Sequence, residues 1–409
     1  MKYSVFKHLR GEKLSGTAYK LQGQRKNIIS KLSIHKDSTI PELSGCLNIS
    51  IPKMNYLMMG LVEEGLVIGG GHTTEGVGRK ATTYKLNPSC CYFLGIEIKK
   101  YKINIGLMGF DKSIIESTGN IPFPFLDPHE SLNAIIKEIN AFLNNSCISK
   151  DKIMGIGLSV AGRINVKKGE ILTLYHFEDA PVKAILEEAI QLPVYIDNDS
   201  RTIAYGEYYF GKRINAGNVI VVNLDYGIGS GIFIDGKPLY GASGYAGEIG
   251  HIPLFNNEKI CLCGKKGCLQ TEASGFALIE FITNKMNEGS NSRLNVVIKK
   301  KGFLELEDII KAVQLGDNLA IEGISRIGHS LGKGLSVAIN MFNPNVIIIG
   351  GTLSALGDAL LLPVVQSSIF QHSLSIVNND TQIMVSKLGD SAGLLGCCLL
   401  VRDKTLGLI

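Results

Sequence analysis

The chain has 409 residues, 45% hydrophobic and 19% charged, so it is long enough for two or three domains with sizeable cores. It has no low-complexity tract, no run of eighteen apolar residues and no apolar signal core, which argues against a membrane or secreted protein and predicts a cytoplasmic one. Residues 1–90 hold 13 Lys/Arg against 6 Asp/Glu, a net charge of +7, and the remainder has a net charge of −2. A basic amino-terminal module predicts an anionic partner, with a merely solubilising tail as the alternative.

Two helical patterns begin the amino-terminal module. Ile28, Ile29 and Leu32 share one face of the first pattern. Thr39 is placed to cap a short second helix that runs through Leu47, with a proline near its first turn. The pattern therefore predicts a helix, a break and a short capped helix.

A third helix follows the turn "CLNIS", with Ser50 placed to cap it. Its apolar residues recur at helical spacing: Met54, Leu57, Met58, Leu61 and Val62. A short helix, a tight turn and a longer helix form a helix-turn-helix, whose second helix can enter the major groove of DNA.

The stretch "LVIGGGHTTEGVGRKATTYKLNP" alternates like two strands around a glycine-rich tip, which predicts a β-wing. Residues 1–88 are thus expected to form a winged helix-turn-helix domain that binds double-stranded DNA, with a winged helix used for protein contact as the alternative. The candidate DNA-binding residues belong to the third helix and the wing tip: Ser50, Lys53, Asn55, Tyr56, Arg79 and Lys80.

From about residue 92, strands alternate with helices. Two hairpin-like stretches look related: "GIEIKKYKINIGLMGFDK" at 95–112 and "VVNLDYGIGSGIFIDGK" at 221–237. They predict a duplicated α/β lobe. The first lobe is expected over residues 89–200, with residues 385–409 packing back on it, and the second lobe over residues 201–384.

Five segments occur in order along this body: "GLSVAGRI", "YIDNDSRTIAYGE", "YGIGSGIFIDGKPLYGASGYAGEIGHI", "CLCGKKGCLQTEASG" and "NPNVIIIGGTLS". In these segments the chain resembles the ROK family of repressors and sugar kinases. With its amino-terminal winged helix it is similar to the NagC-like transcriptional regulators of that family. The resemblance implies an actin-like, ribonuclease-H-like α/β fold with two lobes and a sugar cleft between them.

A cluster of soft ligands lies within eighteen residues: His251, Cys261, Cys263 and Cys268. One imidazole and three thiolates form a closed tetrahedral set suited to structural Zn²⁺, and Gly264 and Gly267 allow the tight turn between the last two cysteines. The alternative is three reduced cysteines beside an unrelated histidine. The resemblance implies a metal site that is catalytically silent and shapes the neighbouring sugar pocket.

The resemblance also implies a set of sugar-binding positions: Gly162, Asn198, Asp199, Glu248, His251 and Glu272. Carboxylates suit this task because each can accept hydrogen bonds from a pair of adjacent sugar hydroxyls. Asp197 stands where the family usually has a glutamate and Arg201 where an asparagine is common, so the identity of the sugar stays open.

The nucleotide half departs from the kinases of the family, in which the position of Asp199 is the catalytic base. Their Asp-x-Gly-Gly-Thr-like turn reads "EIKKY" here, at residues 97–101, and their second Gly-Thr pair is Asp225-Tyr226. Glycines let backbone N–H groups approach phosphates, whereas these side chains obstruct them. No catalytic residue is therefore expected.

The sequence predicts a sugar-responsive, non-catalytic transcriptional regulator of carbohydrate genes, most simply a repressor. Its expected partners are operator DNA, a sugar or sugar-phosphate effector, and further copies of itself in a homodimer or homotetramer. An ATP-dependent sugar kinase of the ROK family and a regulator controlled by a protein partner are the alternatives. The effector, the operator and the direction of the response stay open.

Overall fold

A computed structural model describes residues 16–35, 37–72, 81–123, 127–173, 180–211 and 216–408. The chain divides into two compact units. The first consists of Met1–Leu158, Tyr175–Ile196 and Cys397–Ile409, and the second of Ser159–Leu174 and Asp197–Gly396.

The first unit begins with three helices, α1 (Gly16–Ile34), α2 (Ile40–Leu47) and α3 (Ile51–Glu63). Thr39 caps α2 in a capping box, in which Glu42 N donates to Thr39 Oγ1 at 3.4 Å and Thr39 N donates to Glu42 Oε2 at 2.7 Å. Asn48, in the left-handed conformation, ends α2. Ser50 stands at the N-cap position of α3, as predicted, but its side chain makes no capping hydrogen bond.

The predicted apolar faces of α1 and α3 are buried, with one exception. On α1, Ile28 and Ile29 are fully buried and Leu32 nearly so, and on α3 the buried residues are Met54, Leu57, Met58 and Leu61. Val62 was placed on the same face, yet it is 41% exposed. One residue beyond Leu61 the helix has turned by about 100°, which carries Val62 off the buried stripe.

The predicted wing is present as an antiparallel pair. Strand β1 (Ser38–Thr39) pairs with β3 (Thr82–Leu86), which pairs in turn with β2 (Val67–His72), giving the order β1-β3-β2. The tip of the wing, with Arg79 and Lys80, lies outside the described residues.

A five-stranded sheet follows in the first unit. Its strands are β4 (Tyr92–Ile98), β5 (Lys102–Gly109), β6 (Ile114–Pro122), β7 (Ile153–Val160) and β10 (Val194–Asn198), in the order β10-β7-β4-β5-β6. Two helices accompany it, α4 (Pro128–Asn145) and α5 (Val182–Ile190), and a short ribbon of β8 (Ile164–Asn165) and β9 (Glu170–Ile171) lies in the second unit.

The second unit is built around another five-stranded sheet. Its strands are β11 (Val219–Leu224), β12 (Ile228–Ile234), β13 (Lys237–Pro238), β14 (Val346–Gly350) and β15 (Gln382–Val385), in the order β13-β12-β11-β14-β15. Strand β11 is antiparallel to β12 and parallel to β14. The two hairpins that looked related in sequence, β4–β5 and β11–β12, are thus both antiparallel pairs inside a five-stranded sheet.

The helices of the second unit are α6 (Asp199–Phe210), α7 (Gln270–Ala273), α8 (Gly275–Asn287), α9 (Leu294–Lys301), α10 (Leu306–Gln314), α11 (Asn318–Phe342), α12 (Leu362–His372) and α13 (Ser375–Asn378). A last helix, α14 (Ser391–Leu406), begins in the second unit and continues into the first from Cys397. The stretch Thr352–His372 is long and apolar enough to cross a membrane, but its Leu361, Val365 and Ile369 are fully buried in the core of the unit. It is therefore a core segment.

The amino-terminal helices share one core with the first sheet instead of forming a separate body. Phe93, Phe110, Val401 and Leu406 belong to the same buried cluster as the apolar faces of α1 and α3. The predicted division at residue 88 therefore does not separate two packed cores. Residues 385–396, expected on the first lobe, belong to the second unit, because α14 begins beside α6 and ends in the amino-terminal core.

Candidate functional site

The four soft ligands predicted from the sequence converge in the second unit. The ligand atoms of His251, Cys261, Cys263 and Cys268 all lie within 4.8 Å of one another. Cys263 Sγ and Cys268 Sγ are 3.7 Å apart, and Cys261 Sγ lies 3.5 Å from His251 Nδ1. A tetrahedral ion with Zn–S of about 2.3 Å and Zn–N of about 2.0–2.1 Å separates two sulfurs by about 3.8 Å and a sulfur from a nitrogen by about 3.6 Å. The cluster has the dimensions of a closed metal site.

Local backbone conformation brings these ligands together. Gly264 and Gly267 have φ of +82° and +70°, and a Cβ at Gly267 would lie 2.0 Å from the carbonyl oxygen of Phe255. Only glycine fits there. Burial, followed by hydrogen bonds with neighbouring thiols, raises the pKa of Cys268 to about 12. A cation held by the cluster would favour the thiolate form.

Gln270 also contacts this cluster, although the sequence did not single it out. Its Nε2 donates to Cys261 Sγ at 3.0 Å, and its Oε1 would lie 3.3 Å from a Cβ at Gly250. Gln270 is the first residue of α7, two positions after Cys268, and the short interval from the last cysteine was the available signal. The side chain lies beside the loop that carries Glu248 and His251.

Three of the predicted sugar residues lie next to one another. Asn198 Nδ2 donates to the carbonyl oxygen of Gly162 at 3.0 Å, and Asn198 Oδ1 caps α6 by accepting from Ser200 N and Arg201 N. Asp199 is the first residue of that helix and directly follows Asn198, the last residue of β10. Gly162 has φ of +114°, and a Cβ there would lie 2.0 Å from Thr173 Oγ1.

The environment of Asp199 disfavours its charge. Its pKa is raised from 3.8 to about 6, mainly by burial and in part by the neighbouring Asp225 carboxylate, against the hydrogen bonds from Ser200. Asp199 Oδ2 accepts from Asn223 Nδ2 at 3.4 Å. Asn223 Oδ1 is buried and has no hydrogen-bond partner among the residues described. A carboxylate in this position is ready to accept hydroxyl donors from a ligand.

His251 lies between the cluster of soft ligands and Glu248. Its Nδ1 faces Cys261, while its Nε2 lies 3.8 Å from Glu248 Oε2. Burial lowers the pKa of His251, the Glu248 charge raises it and the Arg163 charge lowers it. One imidazole nitrogen therefore faces the cluster and the other faces a predicted sugar-binding carboxylate, so an ion held here would fix the ring beside the sugar residues.

Glu272 has different neighbours. Asn257 Nδ2 donates to Glu272 Oε1 at 2.9 Å, and Lys259 and Arg326 lie 3.2 and 3.4 Å from its carboxylate. Glu272, Lys259 and Arg326 line a cavity of about 210 Å³ beside α8. None of the described hydrogen bonds of Glu272 is to another predicted sugar residue. The sugar-binding role of Glu272 stays a prediction, whereas its observed partners are two cations and an amide.

Asp197 and Arg201, the two residues that differ from those usual in the family, are buried and belong to one polar network. Arg201 Nε donates to Asp197 Oδ1 at 2.6 Å, and Tyr240 Oη donates to Asp197 Oδ2 at 2.9 Å. The Arg201 guanidinium lies 5.6 Å from the centre of the Tyr240 ring. The Asp197 carboxylate and the Arg201 guanidinium therefore neutralise each other in the buried interior.

A carboxylate occupies the turn of the second hairpin. Thr352 Oγ1 and Thr352 N donate to Asp225 Oδ2 at 2.5 and 3.3 Å, and Tyr226 N donates to Asp225 Oδ1 at 2.7 Å. Thr352 follows the glycine turn at the end of β14, which in a phosphate site would present backbone donors to the ligand. Here the Asp225 carboxylate accepts from one of those backbone donors, Thr352 N, and from the Thr352 hydroxyl.

The first hairpin turn also lacks a phosphate cradle. At the end of β4, Glu97 is 2% exposed and accepts a hydrogen bond from Asn104 Nδ2 at 2.8 Å. The turn closes through Lys99 N and the carbonyl oxygen of Lys102 at 2.8 Å, and residues 97–101 contain no glycine. The turn therefore lacks the glycines that let backbone N–H groups approach phosphate oxygens.

The candidate DNA-binding residues of α3 lie on its outer face. Ser50, Asn55 and Tyr56 are exposed, and Lys53 is half-buried with its ammonium 4.8 Å from the centre of the Tyr56 ring. Asn55 Nδ2 donates to the carbonyl oxygen of Ile51 at 3.1 Å. Ile51 and Met59 are also exposed on this helix, at 51% and 63%, and the sequence reasoning did not include them.

This chain is similar to one protein family, to named relatives in bacteria and to a solved structure. A family model described as the ROK family matches residues 93–404. A putative xylose repressor from Caldicellulosiruptor sp. is 28% identical over 384 residues, covering 93% of this chain and 95% of the relative. A glucokinase from Halalkalibacterium halodurans is 36% identical over 262 residues, covering 63% of this chain and 78% of the relative. A crystal structure of a ROK family transcriptional regulator, a homologue of the E. coli MLC protein, superimposes with a TM-score of 0.79 at 26% identity, covering 94% of this chain and 98% of that one.

Proposed function

Because the chain belongs to the ROK family, we propose that it is a sugar-responsive transcriptional regulator, a repressor of carbohydrate genes, that binds operator DNA through its winged helix. The similarity to the putative xylose repressor extends over 93% of the chain, which necessarily includes most of the amino-terminal fifth that carries the helix-turn-helix. The similarity to the glucokinase covers 63%. The amino-terminal module is what a repressor requires and a kinase does not.

One observation favours regulation over catalysis: Asp225 accepts the hydrogen bonds of Thr352 at the glycine turn. Phosphoryl transfer depends on positioning the phosphates and stabilising their charge, and a fixed carboxylate at that turn opposes both. Asp199 therefore has no phosphoryl donor to serve and acts as a hydroxyl acceptor for the effector. An ATP-dependent sugar kinase remains the second candidate, supported by the glucokinase similarity.

We infer a structural Zn²⁺ at His251, Cys261, Cys263 and Cys268. The ion would supply a crosslink and no chemistry, because four protein ligands leave it no open position. Its effect on the sugar would pass through His251, whose other nitrogen faces Glu248. We further propose a cytoplasmic homodimer or homotetramer.

The effector signal needs a route to the winged helix, and we propose α14. In the second unit, a Cβ at Gly396 would lie 1.7 Å from the carbonyl oxygen of Thr202, so α14 touches the backbone of the helix that Asp199 begins. In the first unit, Arg402 of the same helix donates to Ser33 Oγ of α1 and, at 3.2 Å, to the carbonyl oxygen of Phe110. A displacement of α6 would therefore reach α1 through a single rigid element.

The experiment is a coupled ADP-release assay with glucose, xylose and amino sugars, run beside calorimetry for ATP. We expect no turnover and no ATP binding in the wild type, because backbone donors are not available to phosphate. Turnover that disappears in Asp199→Ala would establish the kinase and refute the proposal.

A further inference from the structure

Four large apolar side chains are exposed close to one another in the second unit. Their exposed fractions are 69% for Met341, 69% for Phe370, 62% for Leu374 and 79% for Ile376. Exposed apolar residues that are scattered singly are ordinary in a monomer, whereas a group of them marks a surface that another molecule covers. These four residues are called the apolar patch below.

The backbone holds the members of the apolar patch together. Phe370 lies in the last turn of α12, and α13 begins directly after Leu374, so three of the four members fall within seven consecutive residues. Met341 joins them from the end of α11, because the Oδ1 of its neighbour Asn340 accepts a hydrogen bond from Leu374 N at 3.0 Å. The patch is therefore formed by the ends of two helices and the turn that follows the second.

The other face of α12 anchors the patch to the core. Val365, Ser368 and Ile369 are fully buried. Ser368 Oγ donates to the carbonyl oxygen of His329 in α11 at 2.7 Å, and a Cβ at Gly332 would lie 2.5 Å from Ser368 Cβ, so the two helices approach closely. The patch thus lies on packed helices, and a partner that covers it has little backbone to order.

The segments that carry the apolar patch contain no charged residue. Residues 334–345 and 366–379 include no Asp, Glu, Lys or Arg, although 19% of the whole chain is charged. DNA or a strongly charged protein would therefore meet no complementary charge there. In a contact across a two-fold axis, the same surface of two copies meets, so charges near the axis face like charges. A patch without charges avoids that repulsion and suits a second copy of this chain.

We propose that the apolar patch is the surface through which two copies of this chain associate across a two-fold axis. The inference rests on the proposed homodimer or homotetramer and names its interface. Aromatic residues and methionine are enriched at the centres of protein interfaces, so Phe370 and Met341 are the expected centre of this one.

The test is sedimentation velocity of the full-length protein over a range of concentrations. One double variant combines Phe370→Glu with Ile376→Glu, and the other combines Phe370→Lys with Ile376→Lys. Each charged patch would face an identical one, so we expect either variant alone to raise the dissociation constant of self-association at least about hundredfold. An equimolar mixture of the two variants should associate again, since an acidic patch then faces a basic one.

Recovery in the mixture also shows that both variants are folded, because misfolded chains would not restore each other. The matched control combines Val296→Glu with Leu315→Glu, two apolar residues that are exposed in the second unit but lie outside the patch. It adds the same two charges and should sediment as the wild type does.

Two results would overturn the inference while leaving the proposed function intact. One is an oligomer that persists unchanged in both charged variants, and the other is a pair of charged variants that stay dissociated when mixed, which would mean that the patch meets a different surface. A wild type that is monomeric at every concentration would refute the proposed oligomer and the inference together.

Discussion

Replacing Asp199 with asparagine should stabilise the protein at neutral pH. The pKa of Asp199 is raised from 3.8 to about 6, mainly by burial, so its ionisation opposes folding. Below pH 3.8 Asp199 is protonated in both the folded and the unfolded protein, so its ionisation does not affect the free energy of unfolding. The loss of stability grows as the pH rises and reaches its full value above about pH 6, where Asp199 is ionised in both states. Asparagine keeps the shape of the side chain and cannot ionise.

The magnitude follows from the shift of roughly two pKa units, each worth about 1.4 kcal/mol, which gives about 3 kcal/mol. The new amide also has partners. Its oxygen can accept from Ser200 N, as Asp199 Oδ1 does at 2.8 Å. Its NH₂ takes the place of Oδ2, which accepts from Asn223 Nδ2 at 3.4 Å, so the Asn223 amide must turn over to present its unpartnered Oδ1 to the new donor. We therefore expect Asp199→Asn to raise the free energy of unfolding at pH 7.5 by about 2–3 kcal/mol.

The assay is thermal and urea unfolding of wild type and Asp199→Asn at several pH values from 4 to 8. The difference in stability should be largest above pH 6 and should shrink towards zero near pH 4. Glu188→Gln, which removes an exposed carboxylate from α5, serves as the control for the loss of one negative charge.

The expectation would be refuted if Asp199→Asn were less stable than the wild type at pH 7.5, or if the difference between their free energies of unfolding did not depend on pH. Either result would mean that the charge of Asp199 is compensated in the folded protein. The same variant should lose affinity for the effector, since an amide accepts fewer hydroxyl donors than a carboxylate.

Further variants test the other elements. Lys53→Ala should weaken duplex binding and lower the log–log salt slope by about one unit, and an unchanged slope would remove Lys53 from the DNA contacts. Cys263→Ser should lose one equivalent of zinc and lower the melting temperature, whereas purified wild type without stoichiometric metal in elemental analysis would contradict the site. Leu57→Ala, in the fully buried face of α3, should cost about 2–5 kcal/mol of stability in denaturant titrations, and a smaller loss would mean that the winged helix is loosely packed. Arg402→Met should blunt the response of DNA affinity to effector while effector binding in calorimetry stays as in wild type, and an undiminished response would exclude α14 as the route.

Features encoded within a few residues were predictable from the sequence. Thr39 and Glu42 form the capping box expected of a short helix, and the 3.6-residue spacing identified the buried face of α3 apart from Val62. The convergence of the four soft ligands was predictable because Gly264 and Gly267 lie between cysteines only a few positions apart. In each case the interacting residues are only a few positions apart, so their spacing along the chain determines how their side chains meet.

Features that depend on distant segments were not predictable. Asp225 and Thr352 are 127 positions apart, so the sequence indicated an obstructed phosphate turn without revealing which donors the carboxylate takes. Arg402 donates to Ser33, 369 positions away, so the shared core of the winged helix and the first sheet left no local signal. The sequence likewise could not reveal the cationic partners of Glu272, Lys259 and Arg326, or the contact of Gln270 with Cys261.

The central claim is that a sugar alone, without ATP, changes the affinity of this protein for its operator. Fluorescence anisotropy on an operator fragment selected from the upstream DNA of carbohydrate genes tests it most directly, with glucose, xylose, amino sugars and their phosphates added one at a time. We expect one of them to shift the dissociation constant of the DNA complex at least about fivefold, the lower end of an allosteric coupling, with no nucleotide present. An operator affinity that no sugar alters, or that changes only when ATP is hydrolysed, would contradict it.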